Sequence, residues 1–164
     1  MNETARRQRN TEKLGELYPA FRSRIAALIQ DLEGSGIRPR IQEAWRSPAD
    51  QLVAFETGHS KLKYGFHNVT GAGGSRESLA VDLLDDDSPL NPSVGYLLQV
   101  ASAAGAQGLM TGIRWGLPNA LAAAVDAALA AKDWKRPVKV GWDPTHVQPV
   151  GLTASEARAG KRPS

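Results

Sequence analysis

Four side chains in this sequence are of types that together can hold and use a divalent cation. They are His67 in "YGFHN", Asp82 in "SLAVDLL", and Asp143 and His146 in "WDPTHVQ". Two neutral imidazoles and one carboxylate suit a catalytic metal, because the imidazoles leave the ion's charge largely intact and the carboxylate cancels only part of it. The ion remains a Lewis acid with a fourth position open for water. In D-P-T-H, an aspartate three residues before a ligating histidine can lie near that open position. It can take a proton from a water whose pKa zinc lowers to roughly 7, and later protonate a leaving amine. The competing reading is that a lone histidine is more often a surface or satisfied core residue, and that an aspartate in "DLLDDD" is normally solvated.

Composition narrows the alternatives. The chain of 164 residues suits one domain, and 41% apolar with 23% charged residues is enough to close one core. The absence of cysteine excludes disulfides, iron–sulfur clusters, thiolate zinc sites and cysteine nucleophiles, so any metal must be held by His, Asp or Glu. Net charge is +3, but residues 1–13 hold four basic and two acidic residues and 153–164 hold three and one, which leaves the remainder slightly negative. A nucleic-acid partner is therefore not expected, since such proteins concentrate basic residues on a folded face. The basic ends can attract anionic polymers, including those of cell walls, in a salt-dependent way. No run of ~20 apolar residues is present to span a bilayer, and no apolar segment follows "MNETARRQRN" to make a secretory signal.

The elements that must position the four residues are legible as patterns. Apolar residues from Leu14 to Leu32 recur at steps of three and four, which predicts an amphipathic helix from about Pro19 to Glu33, ended by Gly34 and Gly36. "IRPRIQEAW" reads as an edge strand because of Pro39. Ser47, Pro48 and Asp50 open a second helix with a capping-box pattern, closed by Gly58. "TGAGGSRES" reads as a flexible exposed loop and "LAVDLL" as a buried strand. A helix from Pro92 to about Ala104, a strand in 108–116, an alanine-rich helix from Pro118 to Lys132, and short strands in "VKVGW" and "HVQPV" complete the reading. Mixed elements without regular βαβ alternation predict an α+β fold, with a small, mostly antiparallel sheet flanked by helices. The expected organisation is a flexible basic arm over 1–13, a single domain over 14–152 and a disordered tail over 153–164.

Taken in order, "WRSPADQ", "SKLKYGFHN", "SLAVDL" and "WDPTHVQ" resemble the successive motifs of the VanY-like zinc peptidases. These include D-alanyl-D-alanine carboxypeptidases and L-alanyl-D-glutamate endopeptidases, the latter common in phage endolysins, and they share a fold with the hedgehog signalling domain. The resemblance runs over roughly residues 37–149. It implies a hedgehog/DD-peptidase-like fold and Zn2+ as cofactor. The implied metal ligands are His67, Asp82 and His146, with Asp143 as catalytic carboxylate activating the metal's water. Arg46 falls where the family has an arginine that binds substrate or stabilises the transition state, and Gln51 matches the family glutamine, which orients neighbours at the substrate site. The implied partner is a peptidoglycan stem peptide, and the implied activity is a zinc metallopeptidase, a peptidoglycan hydrolase acting as a monomer. Without a signal peptide, it would be made in the cytoplasm and act at the wall after lysis or dedicated export. The alternative is a non-catalytic, zinc-containing cell-wall-binding module.

Three departures stand out. Gly65 replaces the usual serine two positions before the first histidine, Ser78 replaces glycine in G-x-A-x-D across a longer spacer, and a helix-sized insertion separates "RWG" from "WDPTH". Trp115 and Trp142 abut the motifs; both are candidates to flank the site, Trp115 as a substrate contact. His59 is expected to be a solvent-facing loop residue, and Asp85–Asp87 a solvated strand end.

Overall fold

A computed structural model describes residues 1–164. Six helices and a four-stranded antiparallel sheet build an α+β fold, as the sequence predicts. The helices are α1 (Glu3–Leu14), α2 (Pro19–Gly34), α3 (Pro48–Glu56), α4 (Val94–Ala106), α5 (Asn119–Ala131) and α6 (Ala154–Arg158). The strands are β1 (Pro39–Glu43), β2 (Val81–Asp85), β3 (Leu109–Gly112) and β4 (Asp143–Pro149), in the order β1-β2-β4-β3. No helix is long and apolar enough to cross a membrane.

The core forms where the apolar stripe of α2 meets one face of the sheet. Phe21, Ile25, Leu28 and Leu32 are buried against Ile41, Val81, Leu83 and Val147, with Leu97 and Leu98 of α4 beside them. Alternation along a strand sends successive side chains to opposite faces. Val81 and Leu83 therefore point into the core, and Asp82 between them points out the other side. The same alternation sends Val147 inward and leaves His146 and Gln148 on the outer face. Pro39 starts β1 at the sheet edge, where its missing N–H costs nothing.

Two register shifts shape the outer face. One lies between Ile41 and Glu43, so that Glu43 stands opposite Asp82. The other, between Thr111 and Gly112, brings Gly112 opposite Asp143 although Thr111 pairs with Val147. The second depends on glycine. A Cβ on Gly112 would lie 2.1 Å from the Asp143 carbonyl oxygen, and one on Gly141 would lie 2.5 Å from the Gly112 carbonyl oxygen. This close crossing explains a difference from the sequence reading: "VKVGW" is not a strand, and Asp143–Pro149 is a single strand beginning just after it. The crossing is fixed by Gly141 N donating to Ile113 O at 2.6 Å and Trp142 N donating to Trp115 O at 3.1 Å.

Both chain ends differ from the expected arm and tail. Residues 3–14 form α1, capped by Asn2, and Arg6 on it is only 1% exposed. Arg6 donates to Pro39 O at 2.7 Å and to Glu33 at 2.6 Å, while Asn10 both donates to Pro39 O and accepts from Ile41 N. These bonds satisfy backbone groups along β1 that a sheet edge would leave unpaired. At the other end, Thr153 and Glu156 form a capping box for α6, whose Ala157 is buried. Arg162 then donates to Glu77 at 2.7 Å. Composition marked these ends as solvated because their charges outnumber apolar residues; the charges are instead used as long-range hydrogen-bond donors. Asp86 likewise is not a solvated strand end: its side chain is 1% exposed and pairs with Arg38, Arg40 and the N-terminal amine.

The docking of α1 predicts an asymmetry between adjacent arginines. Arg6→Ala removes a buried guanidinium and its bond to Pro39, at an expected cost of about 2 kcal/mol, discounted because Glu3 and Glu33 can resolvate. Arg7→Ala, at a side chain 67% exposed, is expected to cost less than about 0.5 kcal/mol. Urea unfolding of the two variants measures this; equal, small effects would mean that α1 is not docked in solution.

Candidate metal centre

Strand pairing alone sets two of the candidate ligands side by side. Asp82 on β2 stands directly opposite His146 on β4, and such pairs hold their Cβ atoms about 4.5–5.5 Å apart. His67 arrives from outside the sheet on a short 3-10 turn, Phe66–Asn68. That turn is fixed on both sides. Arg46 N donates to His67 O and Leu79 N to Phe66 O, each at 3.0 Å. The fully buried Asn68 accepts from Gly65 N at 2.7 Å and donates to Arg46 O at 3.0 Å. Gly65 is extended there, at φ −146°, so no special backbone need explains the missing serine.

His67 Nε2 lies 3.4 Å from Asp82 Oδ1, and His146 Nδ1 lies 3.3 Å from the same oxygen. The three donor atoms all fall within 4.8 Å of one another. Metal–ligand bonds of about 2.0–2.1 Å at tetrahedral angles put neighbouring donor atoms roughly 3.3 Å apart, so both measured edges fit a tetrahedral ion. The far nitrogens decide the tautomers. His67 Nδ1 sits 2.6 Å from the Ala44 carbonyl oxygen, which can only accept, so Nδ1 carries the proton and Nε2 presents a lone pair. His146 Nε2 sits 3.1 Å from Gln148 Oε1, which assigns the proton there and the lone pair to Nδ1. Two lone pairs therefore face one carboxylate oxygen, with all three donor atoms within 4.8 Å of one another. The donor set fits a divalent cation, with each histidine oriented through its second nitrogen as metal-ligating histidines are.

The titration behaviour of the metal-free protein expresses the same demand for positive charge. Burial opposes charge on His67, but its hydrogen bond and proximity to Asp82, with the Ala44 carbonyl, outweigh burial and raise its pKa. Burial likewise pushes Asp82 up, yet the two histidines outweigh it and hold this carboxyl well below the usual carboxylate range. Asp143 goes the other way. It lies at the start of β4 with Oδ2 3.9 Å from His146 Nδ1, adjacent to the three-atom cluster without belonging to it. Burial raises its pKa, His146 lowers it, and the neighbouring Asp82 charge raises it further, for a net increase. A carboxyl beside a metal position, partly desolvated by burial, is placed to take a proton from a group held there.

The centre opens into a cleft of about 450 Å³. Arg46, Gln51, Trp115 and Trp142 all line it, so the candidates spread over a hundred residues meet at one place. Trp115 packs on His146 at 5.3 Å between ring centroids and on Trp142 at the same distance. Arg46 is engaged by a bidentate pair with Glu43 and donates to Gln51 Oε1 at 2.9 Å. Five N–H donors less these three leave two free to face the cleft. The Glu43 hydrogen bond outweighs burial and raises the Arg46 pKa, so its charge is permanent. Gln51 is 4% exposed and both of its amide N–H groups are used: Oε1 accepts from Arg46, and Nε2 donates to Ser60 Oγ at 2.8 Å and Leu62 O at 2.6 Å. It orients these neighbours, with both amide N–H groups committed and one lone pair of Oε1 remaining. His59 is exposed at the cleft rim, bonded to Thr57.

Sequence reasoning missed the residues that orient the ligands. Gln148 stands two positions after His146, the same-face spacing of a strand, so period-two logic could have found it. Glu43 carried no such signal, because its role depends on the register shift in β1. Nor did Ser78, which is fully buried and donates to the Ala44 carbonyl at 2.9 Å, the acceptor that also fixes His67.

No protein-family model matches the chain, and no curated sequence does. Among solved structures, the fold is similar to that of the L-Ala D-Glu endopeptidase ChiX of Serratia marcescens, with TM-score 0.50 and 22% identity, over 92% of this chain and 90% of that one. The LdcB LD-carboxypeptidase gives TM-score 0.48 and 16% identity, over 88% of this chain and 72% of that one. At 22% identity the likeness to ChiX is one of fold, and it is the fold that the sequence motifs led one to expect.

The geometry predicts one divalent cation per chain, read by calorimetric titration with Zn2+ and by a rise in Tm that a chelator reverses. His146→Ala is expected to abolish binding. Gln148→Leu keeps all three ligands and should weaken binding tenfold to a hundredfold, because the His146 ring loses its partner. Wild-type affinity in His146→Ala would rule out this centre.

Proposed function

We propose that this chain is a zinc-dependent peptidase that hydrolyses peptidoglycan stem peptides, of D-Ala-D-Ala carboxypeptidase or L-Ala-D-Glu endopeptidase type. The observation that carries the proposal is the Asp143 carboxyl placed 3.9 Å from a histidine donor atom of a three-ligand centre. A structural zinc site is closed by four protein ligands, whereas a catalytic one has three and an adjacent base. The likeness in fold to ChiX, an L-Ala D-Glu endopeptidase, supports the substrate class, as do the ordered motifs.

His67, Asp82 and His146 would hold the ion, whose Lewis acidity polarises a scissile carbonyl and acidifies a water. Asp143 accepts the proton of the attacking water and delivers it to the departing amine; the burial that raises its pKa makes it a better proton acceptor than a solvated aspartate. Arg46 presents its two uncommitted N–H groups to charge on the substrate or to a developing oxyanion. The pair with Glu43 fixes the guanidinium plane, so those donors are aimed before substrate arrives. Trp115 covers His146 and walls the cleft, which limits water at the reacting centre. All these residues come from one chain, so a monomer suffices. The substrate places the site of action at the cell wall.

Mass spectrometry of defined muropeptides after incubation with zinc-loaded protein tests the reading and identifies the bond. Asp143→Asn is expected to retain one Zn2+ per chain while hydrolysis falls by about 10²–10⁴. Retention on sacculi without released fragments, by the wild type, would instead identify a non-catalytic wall-binding module.

A further inference from the structure

The cleft contains one strong cation with no carboxylate partner. Arg46 is neutralised by Glu43, but Lys61, which also lines the cleft, makes no ion pair; its Nζ rests 4.8 Å from the centroid of the Trp142 ring. The lysine is not a loose surface charge in its backbone. It lies between Ser60 and Leu62, and the buried Gln51 amide holds both of these neighbours while accepting from Arg46. Trp142, 55% exposed, is in turn fixed by its backbone bond to Trp115 and immediately precedes Asp143. One amide thus couples the Arg46 guanidinium to the segment that carries Lys61, and the indole under the ammonium packs on Trp115 at 5.3 Å, which packs on His146 at 5.3 Å. An ammonium held over an aromatic face keeps its charge and its N–H donors available on the open side. In a cleft whose other charged groups are the ligand Asp82, the proton-transfer residue Asp143 and the paired Arg46, an unpaired ammonium creates a local preference for an anionic group.

We propose that Lys61 is a specificity-determining residue that receives a free carboxylate of the peptide substrate, next to the scissile bond. The inference rests on the peptidase reading and narrows it: among peptides with the same backbone, the one bearing a carboxylate near the cleaved bond is preferred over its carboxamide. A compact ammonium suits this role, since it ion-pairs without requiring the planar bidentate geometry of a guanidinium.

The test uses two muropeptides differing only in a carboxylate or carboxamide beside the cleaved bond, with full-length zinc-loaded protein. Lys61→Met is expected to raise KM for the carboxylate form about tenfold with kcat within about threefold, and to leave the carboxamide form unchanged; Lys61→Arg should restore most of the loss. The KM of the wild type for the carboxylate form should also rise with salt, and that of Lys61→Met should not. Equal losses on both forms, or no change in KM, would overturn the assignment. Binding of both peptides to Asp143→Asn, followed by Trp fluorescence, reads the same preference without turnover. If the wild type cleaves neither peptide, the peptidase reading fails, while a carboxylate preference abolished by Lys61→Met in the binding assay would still establish the lysine as the anion contact.

Discussion

Two imidazole lone pairs and a carboxylate oxygen facing one another across 3.3 and 3.4 Å repel unless positive charge lies between them. The tautomers that create this conflict are imposed from behind, by the Ala44 carbonyl on His67 and by Gln148 on His146. The arrangement can be relieved by protons or by one divalent ion, and the spacing matches the ion. Metal binding at this centre would be linked to proton release, and to the stability of every segment that delivers a ligand. Those segments are a central strand, its neighbour and a turn outside the sheet, so a cation held there would act as a tie across the outer face.

The fold supplies that outer face by ordinary means. A sheet with helices on one side leaves its other side open, and period two divides the strand residues between them. Val81, Leu83 and Val147 enter the core while Asp82 and His146 stay outside. The register shifts then do what a regular ladder could not. One sets Glu43 in line with Asp82 and lets it grip Arg46; the other swings Asp143 to the open side of His146. The departures from the family pattern fit this frame. Ser78 contributes a buried hydroxyl to the carbonyl that orients His67. Gly65 is in an extended conformation that needs no glycine, with its N–H taken by Asn68. The added helix α5 packs on α4, away from the cleft, and its Arg114–Asp126 pair is exposed.

The chain ends and the glycine-rich stretch show where composition misleads. Charged ends read as solvated because burying an unpaired charge is costly. Arg6, Asn10 and Arg162 avoid that cost by donating to backbone carbonyls and distant carboxylates. The stretch after His67 is exposed from Ala72 to Arg76, yet its ends are joined by Gly71 N donating to Ser75 O, and Arg76 reaches back over Trp45 to pair with Glu16. None of these partners is near in sequence, so no local pattern announces them.

By itself the sequence determined the residue types available for chemistry, the helix faces, and the side of each strand on which a residue falls. These follow from local periodicity and from the chemistry of single side chains. The ordered motifs also pointed to the four residues around the centre. Only the tertiary structure decided that Gln51 brackets Arg46, Ser60 and Leu62, that Glu43 and Gln148 orient Arg46 and His146, and that Lys61 stands unpaired at the cleft. Those roles depend on which hydrogen-bonding groups are already occupied and on shifts of one residue in register. Such facts arise between segments far apart in the chain, where sequence spacing carries no distance.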